Sequence, residues 1–383
     1  MPTIVISPFN VVNTPEGGGH FWVYMQYVQG LRQLGFDVYW LENFRSSGDA
    51  ERDAALLALF VARMEAYGLG GKLMLYVSRR QTSASGLPAE YAGMTRSEAE
   101  AIFDQADLLL NFHYAMDPAL LARFRRTALV DIDPGLLQFW ISRRQLAVHG
   151  HDYYFTTGET VGTPDALFPD CGLPWIHIRP AVCLDRWPYV YDPNCEAFTT
   201  VSNWNTDDWI VDGAEVYDNT KRASFLRFAE LPRMTSQALE LALYLDDGDA
   251  EDRRALERQG WRVRYSLDVA STPGMYQAYI QGSRGEFGCA KPFYVKYQTA
   301  WVSDRTLCYL ASGKPVVVQH TGPCSFLPNG EGMFRFSTLR EAADALATIN
   351  ADYEGHSRAA REIAEAYFDA RQVVERILNV ALQ

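Results

Sequence analysis

Two patterns take turns along this chain. Short continuous apolar runs, the signature of strands buried on both faces, alternate with stretches whose apolar residues recur every three or four positions, the signature of amphipathic helices. In the first half, strands are expected at Thr3–Ser7, 37–41, 72–77, 107–111, 128–131 and Tyr153–Thr156. Helices are expected at 19–34, 49–67 and 96–104, with a polar loop over 78–93. Between about 158 and 193 the alternation stops in a segment rich in proline, glycine and tryptophan, which reads as a connection. It then restarts, with strands at 197–201, 240–245, Arg262–Tyr265, 315–319 and Met333–Phe336. Helices are expected at 219–228, 249–259, 273–282, 339–350 and 356–382. Strand–helix alternation of this kind predicts an α/β protein of two Rossmann-like, doubly wound domains facing a central cleft, with ligands at the C-terminal ends of the strands.

Length agrees, since 383 residues exceed one ordinary core. A formal charge of −12 argues against a nucleic-acid or anionic-membrane surface, so any phosphate site must be built by local geometry. The six cysteines show no CxxC pair and no metal-ligand spacing, and read as reduced thiols of a cytoplasmic protein. The N-terminus reads as a first strand rather than a signal peptide, and no apolar run is long enough to span a membrane. Oligomeric state is not legible.

The segment 283–322 concentrates the candidate chemistry. Ser303-Asp304-Arg305-Thr306 has the composition of a helix start, Gly313 closes that helix, and Val316-Val317-Val318 is a buried strand. A helix start with free N–H groups and an arginine is a ready phosphate site. Arg305 suits a diphosphate, against the alternative of a surface pair with Asp304. Lys291 and Lys296 precede it, and either can neutralise a pyrophosphate. Glu286 can accept from sugar or ribose hydroxyls, or simply pair with Arg284. Gly322 allows close approach after the strand, with His320 beside it, and Asn203 ends the first strand of the second half.

In the first half, Gly17-Gly18-Gly19-His20 follows the first strand and opens a helix. Glycines there permit close approach of a ligand or positive φ. A dinucleotide-binding reading competes, with Glu42 as the ribose-binding acid, but Trp22 stands where that fingerprint needs a third small residue. The Tyr-x-x-x-Lys pair of many such enzymes is also missing around Tyr294. His20 can act as a general base, or can merely hydrogen-bond its loop. Asp131 and Asp133 are candidate orienters of that histidine; as a D-x-D they are too weak a signal for a metal site, and none is expected. Trp22 and His113 are candidates for an acceptor pocket, with core packing as the alternative.

Taken together, the glycine loop with GLRQLGFDVYWLEN, then DIDPGLLQ, FTTGE, TVSNW, SRGEFGCAK, WVSDRTLCYLASGKPVVVQHTG and LPNGEGMFRF resemble nucleotide-sugar-dependent glycosyltransferases of the GT-B type. The match is to a poorly characterised bacterial "family 1" group. The resemblance implies an acceptor domain at 1–190, a donor domain at 191–355 and a C-terminal helix at 356–383 crossing back to the first domain. It implies catalytic roles for His20 and Asp133. It also implies a donor site drawn from Gly18, Gly19, Asn203, Arg284, Glu286, Lys291, Ser303, Asp304, Arg305, Thr306 and Gly322. The nucleoside-diphosphate sugar is then a co-substrate, no cofactor is permanently bound, no metal is needed, and the acceptor is a small molecule or glycan. One departure stands out. Many retaining GT-B enzymes carry a glutamate five residues before the glycine that closes this helix, and here that position is Cys308. The stereochemical outcome therefore does not carry over. A non-catalytic sugar-nucleotide sensor would share every donor-binding feature.

Overall fold

A computed structural model describes residues 2–78, 91–148, 150–206 and 208–383. Most of the polar loop expected over 78–93 lies outside these residues. The chain divides into two units: one of Met1–Gly162, Pro169–Arg179 and Ala370–Gln383, the other of Thr163–Phe168 and Pro180–Asp369.

Unit 1 runs β1 (Thr3–Ser7), α1 (Gly18–Gln33), β2 (Asp37–Arg45), α2 (Ala50–Ala66), β3 (Leu73–Ser78) and β4 (Tyr91–Ala92). It continues through α3 (Arg96–Gln105), β5 (Leu108–Asn111), α4 (Pro118–Leu121), β6 (Thr127–Asp131), α5 (Leu136–Ser142), β7 (Tyr153–Thr156) and β8 (Trp175–His177). The sheet order is β4-β3-β2-β1-β5-β6-β7-β8, parallel except for the edge strand β4. Ile4, Val5 and Ile6 on β1 and Leu108, Leu109 and Leu110 on β5 are wholly buried, as expected of strands covered on both faces.

Unit 2 comprises β9 (Ala197–Asn203), the hairpin β10 (Trp209–Asp212) and β11 (Glu215–Asp218), α6 (Lys221–Leu226), β12 (Ala238–Tyr244), α7 (Ala250–Gln259) and β13 (Arg262–Tyr265). Then come α8 (Ser266–Ala270), α9 (Pro273–Gln281), β14 (Gly285–Gly288), α10 (Pro292–Lys296), α11 (Asp304–Ala311), β15 (Val316–Gln319), β16 (Met333–Phe336), α12 (Leu339–Ala351) and α13 (Tyr353–Tyr367). Its sheet order is β13-β12-β9-β14-β15-β16, all parallel. The two sheets confirm the expected α/β class.

Three differences matter. The stretch read as loop around SRGEFG contains β14, a strand buried along its whole length between β9 and β15. Its GEFG sequence has too little β-branched character to announce a strand. Its Gly285 fits because a Cβ there would lie 2.3 Å from the Phe198 ring and 2.4 Å from the Pro315 carbonyl. The connection over 158–193 also contributes a strand, β8, to the first sheet. Finally, the single closing helix expected over 356–382 is two helices, α13 and α14 (Ala370–Ala381); α14 belongs to unit 1 and packs on α1, where Gly30 meets Ala370.

Candidate functional site in unit 2 and a second cluster in unit 1

In unit 2 a pocket forms over the start of α11. Its walls include Gly288, Trp301, Ser303, Arg305, Thr306 and Gly322, and none of its lining residues is an aspartate or glutamate. Ser303 is the N-cap of α11 but its hydroxyl makes no capping hydrogen bond. The first-turn N–H groups are thus not spent on that side chain. Gly313 ends the helix with φ +71, as the sequence predicts.

Arg305 is held rather than loose. Its Nε donates to Glu286 Oε1 at 2.7 Å and its Nη1 to the Val201 carbonyl at 2.9 Å. Neither anticipated partner, Asp304 for the arginine or Arg284 for the glutamate, is the one found. Glu286 is fully buried on β14, and its Oε2 has no hydrogen-bond partner among the described residues. A buried pair in this geometry fixes the guanidinium plane at the pocket wall.

Lys221, on the first turn of α6, is the cation that sequence reasoning missed. Its Nζ donates to the Cys289 carbonyl at 2.6 Å and sits 4.9 Å above the Trp301 ring, which in turn stacks on Tyr294. Burial first, and then the neighbouring charge of Arg305, push its ammonium down to about 7. The signal was present in the sequence only as a lysine following an Asn-Thr helix start.

The other expected donor residues scatter. Lys291 pairs with Asp208 at 2.6 Å, and Lys296 pairs with Asp212 and Glu215 on the β10–β11 hairpin, rather than being solvated or free. Arg284 is a correction: it precedes β14 at the N-terminal end of the strand. There it stacks on Tyr353 at 3.9 Å and donates to Asn350 at 2.8 Å. That is the end of a parallel sheet opposite to the one where ligands bind. Asn203 is exposed at the C-terminal end of β9. Gly322 has φ +137, and a Cβ there would lie 2.4 Å from the Gln298 carbonyl oxygen, so only glycine fits against the 298–300 turn. Asp304 opens α11, and its neighbour Thr306 is buried in the pocket wall. His320 follows β15, and burial together with Arg335 lowers its pKa.

Unit 1 holds a second cluster at the C-terminal ends of its strands. His20 Nε2–H donates to the Phe9 carbonyl at 2.7 Å, leaving Nδ1 as the basic nitrogen. Burial lowers its pKa, while the Phe9 carbonyl and Asp133 pull the other way. The anticipated aspartate orienter is therefore replaced by a main-chain carbonyl, with Asp133 contributing only charge. Asp133 accepts from Tyr114 at 3.3 Å. Asp131 lies beneath it, fully buried, accepting from Gln138 at 2.9 Å, Thr156 at 2.8 Å and the Asp133 N–H at 3.0 Å. Burial pushes its carboxyl up to about 7. His113 stacks on Phe9, and burial with the nearby Arg45 drives its pKa down to about 4.

Trp22 is a correction. It is 2% exposed and packs edge-on against Phe21 and Tyr67, so it belongs to the core and not to an acceptor pocket. Gly18 and Gly19 open α1 without positive φ, so the glycine run does not serve that purpose. Glu42, the acid on which the dinucleotide reading turned, is buried and accepts from the Val12 N–H at 3.0 Å and Trp40 Nε1 at 2.8 Å. It is a core brace and does not reach a ribose. Among the described residues, none of the six cysteines forms a disulfide. Among the described residues, no cluster of three or more potential metal ligands occurs, and no helix is long and apolar enough to cross a membrane.

No protein-family profile matches the chain, and no curated protein does. Solved structures do. An alpha-glucosyltransferase in complex with UDP-glucose and DNA containing an abasic site aligns with TM-score 0.62 at 10% identity, over 100% of this chain and 99% of that one. Anabaena HepE in complex with UDP-glucose aligns at 0.57 and 12% identity, over 99% and 100%. Sucrose-phosphate synthase from Thermosynechococcus elongatus aligns at 0.56 and 12% identity, over 99% and 98%. Alignment along whole chains at such low identity is a statement about fold, and the fold is GT-B: two Rossmann-like units, each on a sheet that is parallel apart from the edge strand β4.

Proposed function

We propose that the chain is a nucleotide-sugar-dependent glycosyltransferase in which unit 2 binds the donor and unit 1 the acceptor. The observation that carries this reading is the pocket at the head of α11. There Arg305, fixed by Glu286, stands with uncapped helix N–H groups and no lining acid, and Lys221 lies behind the wall on the carbonyl of the lining residue Cys289. In a chain of net charge −12, such a place is built for an anion. The similarity to structures holding UDP or UDP-glucose supports a nucleoside diphosphate as that anion.

The bond from the sugar's anomeric carbon to the diphosphate oxygen breaks as an acceptor oxygen or nitrogen attacks that carbon. The electron pair leaves on the diphosphate, where Arg305, Lys221 and the α11 dipole offset the developing charge without a metal. The acceptor's proton passes to His20 Nδ1, the free nitrogen of a neutral ring. The nucleotide sugar is consumed as co-substrate, and no resident cofactor enters the scheme. The same net charge favours a small-molecule or glycan acceptor over the DNA seen with one structural neighbour.

A thermal-shift series with UDP-, GDP-, TDP- and ADP-sugars, followed by a hydrolysis assay, tests this. One donor class should raise the melting temperature and be slowly hydrolysed. A shift without turnover across a broad acceptor panel favours a sensor instead. No shift with any donor removes the reading.

A further inference from the structure

The same pocket has a second guanidinium that the scheme above leaves unused. Arg335 lies on β16, aligned with Val318 on β15, which is itself aligned with Gly288 on β14. Arg305 Nη2 approaches Gly288 so closely that a Cβ there would stand 3.0 Å away. Arg335 is thus two strands from the Arg305 end, about 10 Å by ordinary strand spacing. Arg335 Nε is buried and has no hydrogen-bond partner among the described residues, and its Nη2 donates to the Leu327 carbonyl at 3.4 Å. Among the described residues no ion pair involves it. A buried guanidinium N–H without an acceptor leaves its desolvation uncompensated, the more so because the group is charged. It occurs here beside an apolar wall of Leu327, Met333 and Val318.

We propose that Arg335 is a specificity-determining residue of this pocket, receiving a carbonyl or carboxylate oxygen of the bound nucleotide sugar on its guanidinium. The inference rests on the donor reading given above. With the diphosphate at α11, a group reaching about 10 Å further along the sheet is either a nucleobase, through a ring carbonyl, or a sugar acid, through its carboxylate. Both present an acceptor with no proton of its own, which is what an unpaired guanidinium edge selects.

The test titrates UDP, GDP, ADP and TDP into full-length protein. The titration is then repeated with inorganic pyrophosphate, and with the glucose and glucuronate esters of whichever nucleotide binds. Wild type, Arg335→Met and Arg335→Lys are compared. If the base supplies the oxygen, Arg335→Met weakens the nucleotide and both esters about ten- to hundred-fold and leaves pyrophosphate unchanged. If the sugar supplies it, only the glucuronate ester weakens. Either result supports the assignment. Wild-type affinity for all ligands in Arg335→Met overturns it while leaving the donor site intact. Failure of wild type to bind any nucleotide overturns the donor reading and this inference with it. The substitution keeps the aliphatic stem and breaks only the 3.4 Å contact, and unchanged thermal unfolding of the free variants checks that the fold is retained.

Discussion

Arg305 and Glu286 meet at 2.7 Å, joining the first turn of α11 to the middle of the unit 2 sheet. The arginine side chain is 11% exposed and the glutamate not at all, so each is the other's main compensation for leaving water. This pair makes the arginine a fixed wall of the pocket, and it separates two effects that a simple alanine substitution would confuse.

Arg305→Ala should abolish nucleotide binding and also destabilise the protein by about 3–5 kcal/mol, because it strands a buried carboxylate. The double variant Arg305→Met with Glu286→Leu should recover most of the stability and none of the binding. Urea unfolding and titration calorimetry read the two effects separately. Nucleotide binding by the double variant would show that the arginine is only structural.

Lys221 should make nucleotide binding pH-dependent. Its ammonium titrates near 7 in the folded protein against an ordinary 10.5, so between those values the unfolded chain holds the extra proton. Free-protein stability from this group therefore rises with pH across that window. Ligand phosphate demands the charged form, so nucleotide binding at pH 8 should take up a proton. Calorimetry in buffers of different ionisation enthalpy measures that uptake, and Lys221→Met should eliminate it.

In unit 1 the sign reverses. Asp131 and Glu42 both have carboxyls raised to about 7 by burial. The folded state holds the extra protons between their ordinary values and 7, so the stability they contribute is lost as pH rises through 7. Thermal unfolding should therefore show unit 1 more stable at pH 5.5 than at pH 8, by about 1 kcal/mol or more per group. Replacing Asp131 with Asn should flatten part of that dependence.

His20→Ala should leave nucleotide affinity unchanged and lower kcat by about 10²–10⁴-fold. With a pKa held below the ordinary 6.5, the wild-type acid limb should fall below that pH. An unaltered kcat in the variant would return His20 to a purely structural role on the Phe9 carbonyl.

Gly322→Ala forces a side chain to within 2.4 Å of the Gln298 carbonyl oxygen at a φ of +137. It should cost more than about 1 kcal/mol and weaken nucleotide binding by displacing the 298–300 turn at the pocket rim. Unfolding curves that match wild type would show that the turn yields freely.

The alternation of apolar runs with amphipathic stretches was enough to specify two parallel α/β units. Local chemistry was enough to place the start of α11, its stop at Gly313 and the strand after it. These are properties of neighbouring residues, and neighbours are what a sequence displays. Tertiary structure decided the partners. Glu286 became the buried counter-ion of Arg305 because GEFG, with little strand propensity of its own, is enclosed by β9 and β15. Lys221 came to lie behind the pocket wall, against the Cys289 carbonyl and the Trp301 ring, and Trp22 and Glu42 turned inward. Which side chains share a pocket depends on strand order and register, and those are settled by packing between segments far apart in the chain.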